Sequence, residues 1–393
     1  MLNKKLNIFF IVILLFLNLN TSIHAQNIRV KIYSDINEIK NVSIYVNTGT
    51  YAIIATKDTI DKIEPGIPIF LCLKKNIIEL KIKNNIIGCF NEISLMGLSL
   101  KNSFIIKPND NQKLKRIYED NLVVTISKNS LFLINYIDIE NYIAGVVEAE
   151  AGGCSENEEF FKVQAIISRT YAISHINNHK TENFNLCDLE HCQVYKGKAS
   201  KIAILKATYS TRGSVLSDDE GNLIVAAYHS NSGGLTVNSG DLWNKQLPYL
   251  ISVVDSFSIK GSNATWEKTM KASEWLNFLN KEFNYPISDS NSRNHALTFS
   301  QDSCRLVFFS KNIPLRQIRE KLKLRSTWFS VSYNKNNDEV ILKGRGYGHG
   351  VGLSQQGAII MANIGYSYID ILNFYYRNIK IIKKENLITN TPQ

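Results

Sequence analysis

Between residues 27 and 137 apolar and polar side chains alternate with a period of two. Ile28-Arg29-Val30-Lys31-Ile32 and Val42-Ser43-Ile44-Tyr45-Val46 begin the pattern, and Leu122-Val123-Val124-Thr125-Ile126 and Leu131-Phe132-Leu133-Ile134 continue it. Period two sends successive side chains to opposite faces, so these segments read as half-buried strands. The first helical pattern comes only at 156–176, where Phe160, Val163, Ile167, Tyr171 and Ser174 share a face. Ser155, with Glu158 three residues on, has the spacing of a capping box. Further helices are expected at 199–211, 272–283, 353–364 and 366–377, with Gly365 placed to stop the third. Strands are expected at 213–217, 223–229 and 339–343. The fold class that follows is α+β: a β-rich body with a helical motif region forming a substrate cleft.

The order of these patterns divides the chain. Residues 26–120 form an N-terminal β-rich region and 121–257 a core carrying most of the motifs. Residues 258–340, rich in Asn, Ser and Lys, read as an inserted accessory region. Residues 341–385 return to the core with a Gly-rich loop, and 386–393 are a tail. With 393 residues and 44% hydrophobic content, the chain can bury a sizeable core and is not a disordered protein. Its net charge of +10 is spread along the chain, which disfavours a polybasic arm for nucleic acid and suits an acidic polymer such as bacterial wall material.

The N-terminal residues predict a protein outside the cytoplasm. Lys4 and Lys5 precede an apolar run from Leu6 to Leu17, and a polar stretch leads to Ala25. This is the pattern of a secretory signal peptide cut near Ala25–Gln26, the alternative being an uncleaved anchor. No Cys follows the run, so no lipid anchor is expected, and no later stretch is apolar for long enough to span a bilayer. A secreted, periplasmic or wall-associated location follows.

Five constellations could carry chemistry. In Gly145-Val146-Val147-Glu148-Ala149-Glu150-Ala151-Gly152-Gly153 two carboxylates lie between an apolar strand end and a Gly pair, beside apolar neighbours where a Glu can stay protonated near neutrality and serve as general acid. On a strand the two would share a face and on a helix they would diverge; solvated residues at a helix start are the competing reading. In the following helix Gln164 and Arg169 interrupt apolar packing and need partners, either the Glu loop, the substrate or solvent. Leu186-Cys187-Asp188-Leu189-Glu190-His191-Cys192 gathers two thiols and an imidazole that can converge on a zinc ion, with His179 or His175 as a fourth ligand. A Cys187–Cys192 disulfide competes with that reading, and a nucleophilic Cys is a further alternative. Tyr228-His229-Ser230-Asn231-Ser232-Gly233-Gly234 is a turn whose amides and hydroxyls can bind a sugar or an anion; without a G-x-S-x-G elbow a serine hydrolase is disfavoured. Gly344 to Gly352 alternates glycine strictly, yet no register gives G-x-G-x-x-G, so a dinucleotide site is disfavoured. His349 in that loop can be a ligand, a donor or a packed turn residue.

Taken together and in order, these motifs resemble the sporulation protein SpoIID and its relatives, including the amidase enhancer LytB. The carrying segments are Asn141 to Glu150, Lys162-Val163-Gln164-Ala165 with Arg169-Thr170-Tyr171-Ala172, Cys187 to Gly197, Ser230 to Thr236, and Tyr347 to Ala358. Membership of that family implies a lytic transglycosylase acting on peptidoglycan strands whose stem peptides an amidase has removed. It implies Glu150 as catalytic acid and base, closing the C6 hydroxyl of the sugar onto C1 as a 1,6-anhydro ring. It implies zinc on Cys187 and Cys192, with His191 and His179 completing the set, for structural support or substrate ordering. Substrate contacts are expected from Gln164, Arg169, Tyr171, His229, Ser230, Ser232, Gly233, Gly234, His349, Ser354 and Gln355. A cell-wall amidase is an expected partner, and a wall-binding module that stimulates an amidase without catalysis is the reading from a different class. A metal-dependent peptidase or amidase is disfavoured, because the sequence has no H-E-x-x-H motif and few histidines. The sequence departs from the family after the acid, where Ala151-Gly152-Gly153-Cys154 replaces a Met-Pro-like pair. Ser232 stands where relatives carry Cys, and Gln356 where Trp is common.

Overall fold

A computed structural model describes residues 26–243, 245–301, 307–308 and 313–384. The expected signal peptide, Cys304 and the C-terminal tail lie outside the described residues. The alternating segments form two sheets. One orders its seven strands as Leu186–Cys187, Asn27–Lys31, Ser130–Asp138, Asn121–Ser127, Ile93–Gly97, Tyr51–Ala55 and Asp58–Ile63. The other has six: Arg116–Glu119, Ser103–Pro108, Asn41–Thr48, Pro68–Lys74, Ile77–Ile82 and Asn85–Phe90. Val30, Leu122 and Val124 of the first and Ile44, Leu71 and Leu80 of the second belong to one buried apolar cluster. Each fully buried side chain of this kind stabilises the fold by about 1.5–3 kcal/mol.

That core continues into the helical region through aromatic rings. Tyr51 meets Phe104 edge-on with centroids 5.7 Å apart, Phe104 meets Tyr118 at 6.1 Å, Tyr118 meets Tyr195 at 5.9 Å, and Tyr195 meets Tyr142 at 5.1 Å. The last of these rings sits on a helix, Ile139–Ala151, where the sequence reading placed the end of a strand. Asp138 caps it by accepting from the Glu140 N–H at 2.9 Å. Gly145 lets this helix approach closely, since a Cβ there would lie 2.3 Å from the Gly197 carbonyl oxygen.

The helix expected at 156–176 spans Glu158–Ser174. Asn157, rather than Ser155, caps it, its side chain accepting from the Glu159 N–H at 2.9 Å. This central helix is buried on almost every side. The glutamate helix Ile139–Ala151, the helices Ile202–Ser210, Gln355–Asn363 and Tyr368–Tyr375, and the strand Ser214–Ser217 pack around it. Burial on most sides is why the polar residues Gln164, Ser168, Arg169 and Thr170 need internal partners. Arg169, fully buried, finds Glu140: Nε donates to Oε1 at 3.0 Å and Nη2 to Oε2 at 2.5 Å. It also donates to the Ser214 and Thr208 carbonyls at 3.0 and 3.2 Å.

The region expected as an insertion has its own apolar cluster, built on Trp275, Leu279, Leu315, Ile318 and Val340 and reaching past residue 340 to Leu342. Its three-stranded sheet runs Thr265–Lys271, Glu339–Arg345 and Phe329–Asn334. The strand expected at 339–343 therefore pairs within the insertion and extends to Arg345, just before the Gly-rich loop. Helices Ala272–Phe283, Ser290–Leu297 and Leu315–Leu322 accompany the sheet. Among the described residues no helix is long and apolar enough to cross a membrane.

The Glu140–Arg169 pair yields a stability prediction. Arg169→Met leaves a buried carboxylate without its cation, which costs about 3–5 kcal/mol. Urea titration followed by circular dichroism should show a loss of that size; a loss below about 1 kcal/mol would contradict the assigned role.

Candidate functional site

A cavity of about 590 Å³ lies where the helical core, the Tyr228–Ser230 segment and the Gly-rich loop meet. Two short parallel pairings fix this meeting, Tyr228 with Leu353 and His229 with Ser354, and an isolated bridge joins Asn231 to Tyr347. The alternating glycines serve this junction. Gly348 has φ +118° and a Cβ on it would lie 2.7 Å from that of His229; Gly352 has φ +72° and would place a Cβ 2.1 Å from the Ala227 carbonyl oxygen. Both positions combine left-handed backbone with close approach, so only glycine fits.

Glu150 lines this cavity from the last turn of the glutamate helix. The Val194 N–H donates to its Oε1 at 3.3 Å. Burial pushes its carboxyl above the usual carboxylate range against the pull of that hydrogen bond, and the nearby negative charge of Glu190 adds to the rise. Glu148 faces elsewhere, as a helix requires. It accepts from the Ser200 N–H and hydroxyl, both at 2.7 Å, and from the Lys201 N–H at 2.9 Å, so it secures the entry to the helix Ile202–Ser210.

Of the other expected contacts, Tyr171, His229, Ser230, His349 and Gln355 also line the cavity. The Tyr171 hydroxyl donates to the His191 carbonyl at 3.3 Å, and its ring stacks on His175 at 4.0 Å. His349 is neutral by geometry: Nε2 donates to the Tyr228 carbonyl at 3.0 Å while Nδ1 accepts from the Val351 N–H at 3.1 Å. Burial lowers its pKa to about 4. The remaining contacts are not presented to the cavity. Arg169 is held by Glu140, and Gln164 lies behind Gln355, whose Nε2 donates to Gln164 Oε1 at 3.3 Å. Ser354 caps the helix Gln355–Asn363. Gly233 packs on Arg345 and Gly346, and the Gly234 N–H donates to Ser258 Oγ at 3.0 Å. Ser232 is buried and donates to Asp255 at 2.8 Å, a bond that a Cys at this position would make only weakly. Gln356 bridges to the insertion, accepting from the Asn263 N–H at 2.9 Å.

Next to the cavity, His179, Cys187, His191 and Cys192 bring their ligand atoms within 4.8 Å of one another. Cys187 and Cys192 are free thiols, so the disulfide reading is set aside. Cys192 Sγ lies 3.5 Å from His179 Nε2 and 3.5 Å from His191 Nδ1, and Cys187 Sγ lies 3.8 Å from His191 Nδ1. Ligands bound to one tetrahedral ion at Zn–S and Zn–N lengths stand about 3.3–3.8 Å apart, and these three separations match that spacing. His179 donates Nδ1–H to Glu182 at 2.7 Å, which aims Nε2 at the sulfurs, the orienting contact that metal-bound histidines use. Cys187 is pulled toward the thiolate by the Cys192 S–H. His175, the other candidate ligand, stacks on Tyr171 outside the cluster. The strand pairing of Lys31 with Cys187 fixes one end of this loop, and buried Asp188 ties it to the body by accepting from the Tyr33 N–H at 2.7 Å and Arg116 at 3.1 Å.

Sequence reasoning missed several groups that line the cavity: Glu190, Gln193, Tyr228, Trp243, Arg319 and Tyr347. Glu190, Gln193, Tyr228 and Tyr347 stand inside the motifs quoted above, and that membership was the available signal. Arg319 comes from the insertion and had no signal of its own.

With this geometry in hand, the chain can be set beside known proteins. The family model described as Stage II sporulation protein (SpoIID) matches residues 127–217. Stage II sporulation protein D of Bacillus subtilis (strain 168) is 31% identical over 264 residues, covering 63% of this chain and 75% of that protein. Its counterpart in Bacillus amyloliquefaciens is 29% identical over 287 residues, covering 69% and 82%. A protein called Amidase enhancer from Bacillus subtilis (strain 168) is 29% identical over 273 residues, covering 56% of this chain and 37% of that protein.

The cluster geometry predicts that the purified chain carries one transition-metal ion. Elemental analysis should find about one equivalent, and Cys192→Ser should lose it. Glu182→Gln should keep the ion but bind it about tenfold more weakly in a chelator competition. Full metal retention by Cys192→Ser would rule the site out.

Proposed function

Because the chain belongs to the SpoIID family, we propose that it is a secreted lytic transglycosylase of peptidoglycan with Glu150 as its acid and base. The observation that carries this reading is a partly buried carboxyl, raised above its ordinary pKa, lining a cleft open to substrate. A glycosidic oxygen is a poor leaving group until it is protonated. Protonated Glu150 gives its proton to the oxygen between N-acetylmuramic acid and N-acetylglucosamine, and the bond from C1 to that oxygen breaks. The Glu150 carboxylate then takes the proton of the C6 hydroxyl, whose oxygen bonds to C1. The proton returns to Glu150 and no water is consumed. Ordinary glycosidases need a second carboxylate as nucleophile or to activate water. Here the attacking hydroxyl belongs to the substrate, and Glu190 serves by keeping Glu150 protonated.

The rest of the cleft has positioning work. Exposed Tyr347 and Trp243 offer ring faces for sugars, and His349 is locked as a neutral donor to a main-chain carbonyl. On this reading His179, Cys187, His191 and Cys192 hold zinc, which supplies a closed structural coordination. The loop they fix runs on to Val194, whose amide holds Glu150. Peptide-free strands are the proposed substrate, with an amidase that exposes them as functional partner. The similarity to an Amidase enhancer supports a second reading, in which the chain binds wall glycan and stimulates an amidase without cleaving.

Glu150→Gln separates the two. The enzyme reading predicts that this variant binds glycan and melts like wild type but loses on the order of 10²–10⁴-fold in the release of 1,6-anhydro products from peptide-free strands. Equal behaviour of both proteins, with amidase stimulation intact, would favour the second reading. The pH profile follows from the direction of the shift. The acid must be protonated to act, so kcat/KM falls as pH rises through the raised pKa of Glu150. Glu190→Gln removes a negative neighbour and should move that limb to lower pH. An unmoved or upward-moved limb would contradict the assignment.

A further inference from the structure

Among the described residues lining the cleft, one cation is not used by the chemistry above. Arg319 lines the same cavity as Glu150, Tyr347 and His349, yet it comes from the helix Leu315–Leu322 of the insertion. Leu315 and Ile318 anchor that helix in the insertion's own core, both fully buried, so its position is set independently of the core helices. The neighbouring carboxylate on the helix, Glu320, is engaged by Arg316 at 2.7 Å. Among the described residues the Arg319 guanidinium makes no salt bridge and no side-chain hydrogen bond, although it is half-buried. Burial lowers its pKa, outweighing the pull of the nearby Glu320 carboxylate, as expected of a charge partly removed from water. A buried cation left in that state costs stability unless a ligand supplies the counter-charge.

The glycan offers one anion in reach of such a group. N-acetylmuramic acid differs from N-acetylglucosamine by a 3-O-lactyl ether. While the stem peptide is attached, the lactyl carboxyl is a neutral amide; once the peptide is removed, it is a free carboxylate. We propose that Arg319 is the specificity-determining residue of the cleft and pairs with the free lactyl carboxylate of peptide-free muramic acid. A guanidinium meets a carboxylate with two parallel N–H···O bonds, a geometry that an amide cannot reproduce. The insertion thereby contributes a substrate-reading wall to a cleft whose acid belongs to the core. This inference rests on the glycan-cleaving reading and names how that cleft chooses its substrate.

Binding to the Glu150→Gln protein tests the pairing without cleavage. The probes are peptide-free strands, the same strands with the lactyl carboxyl converted to its methylamide, and N-acetylglucosamine oligomers, which lack the group. The expected result is binding of free-carboxylate strands about tenfold or more tighter than of the methylamide strands. Adding Arg319→Gln should weaken the former to the level of the latter and leave the N-acetylglucosamine oligomers unaffected, while Arg319→Lys should keep part of the preference. Equal binding of free and blocked strands by Glu150→Gln overturns the proposal, even should Arg319→Gln fail to fold. So does a folded Arg319→Gln protein that keeps the preference. Failure of the enzyme reading is a separate outcome: wild type would then make no anhydro ends while the carboxylate preference persisted.

Discussion

The buried pair of Arg169 with Glu140 is the interaction on which the rest of the helical core depends. It joins the central helix to the glutamate helix, and its remaining donors reach the end of the helix Ile202–Ser210 and the strand Ser214–Ser217. Four elements are thus held by one guanidinium. An ion pair this deep repays its desolvation only when every donor and acceptor is satisfied. Here that demand fixes the rotation of the helix whose last turn carries Glu150. The acid stands where it does because a residue three turns earlier on the same helix is committed to structure.

A second constraint acts from the other side. The segment from Cys187 to Val194 is pinned at Lys31 by strand pairing, at Tyr33 and Arg116 through Asp188, and at its far end by the bond from Val194 to Glu150. The four potential metal ligands lie on or against this segment. Support for the potential metal ligands and support for the proposed acid are therefore the same stretch of chain. A change in ligation would be felt at Glu150 through main-chain geometry alone.

Much of the body was legible in the sequence because period-two alternation is a local signal. The strands between 27 and 137 and the helix Ala272–Phe283 follow their patterns directly. The glutamate helix was misread as the end of a strand, since Val146-Val147 favours strands locally and only tertiary packing around Gly145 and Tyr195 decides for helix. Among the site residues, Glu150, the Cys187–Cys192 cluster and His349 were visible because unusual residue types stand in short, quotable motifs. Arg169 was visible too, but its partner was not: nothing local marks Glu140, 29 residues away, as the group it would bind. Arg319 was silent for the same reason, because only the folded insertion brings it to the cleft. Ser232 and Ser354, read as substrate contacts, show the opposite limit, as hydroxyls in a Gly-rich turn serve a buried network as readily as a ligand.

The central claim is that the substrate's own hydroxyl, and not water, attacks C1. Digestion of peptide-free glycan strands in water enriched in ¹⁸O reads this directly by mass spectrometry of the product ends. The account predicts 1,6-anhydro ends free of ¹⁸O. Reducing ends carrying one ¹⁸O would mean hydrolysis, and would return Glu190 to consideration as a second catalytic carboxylate.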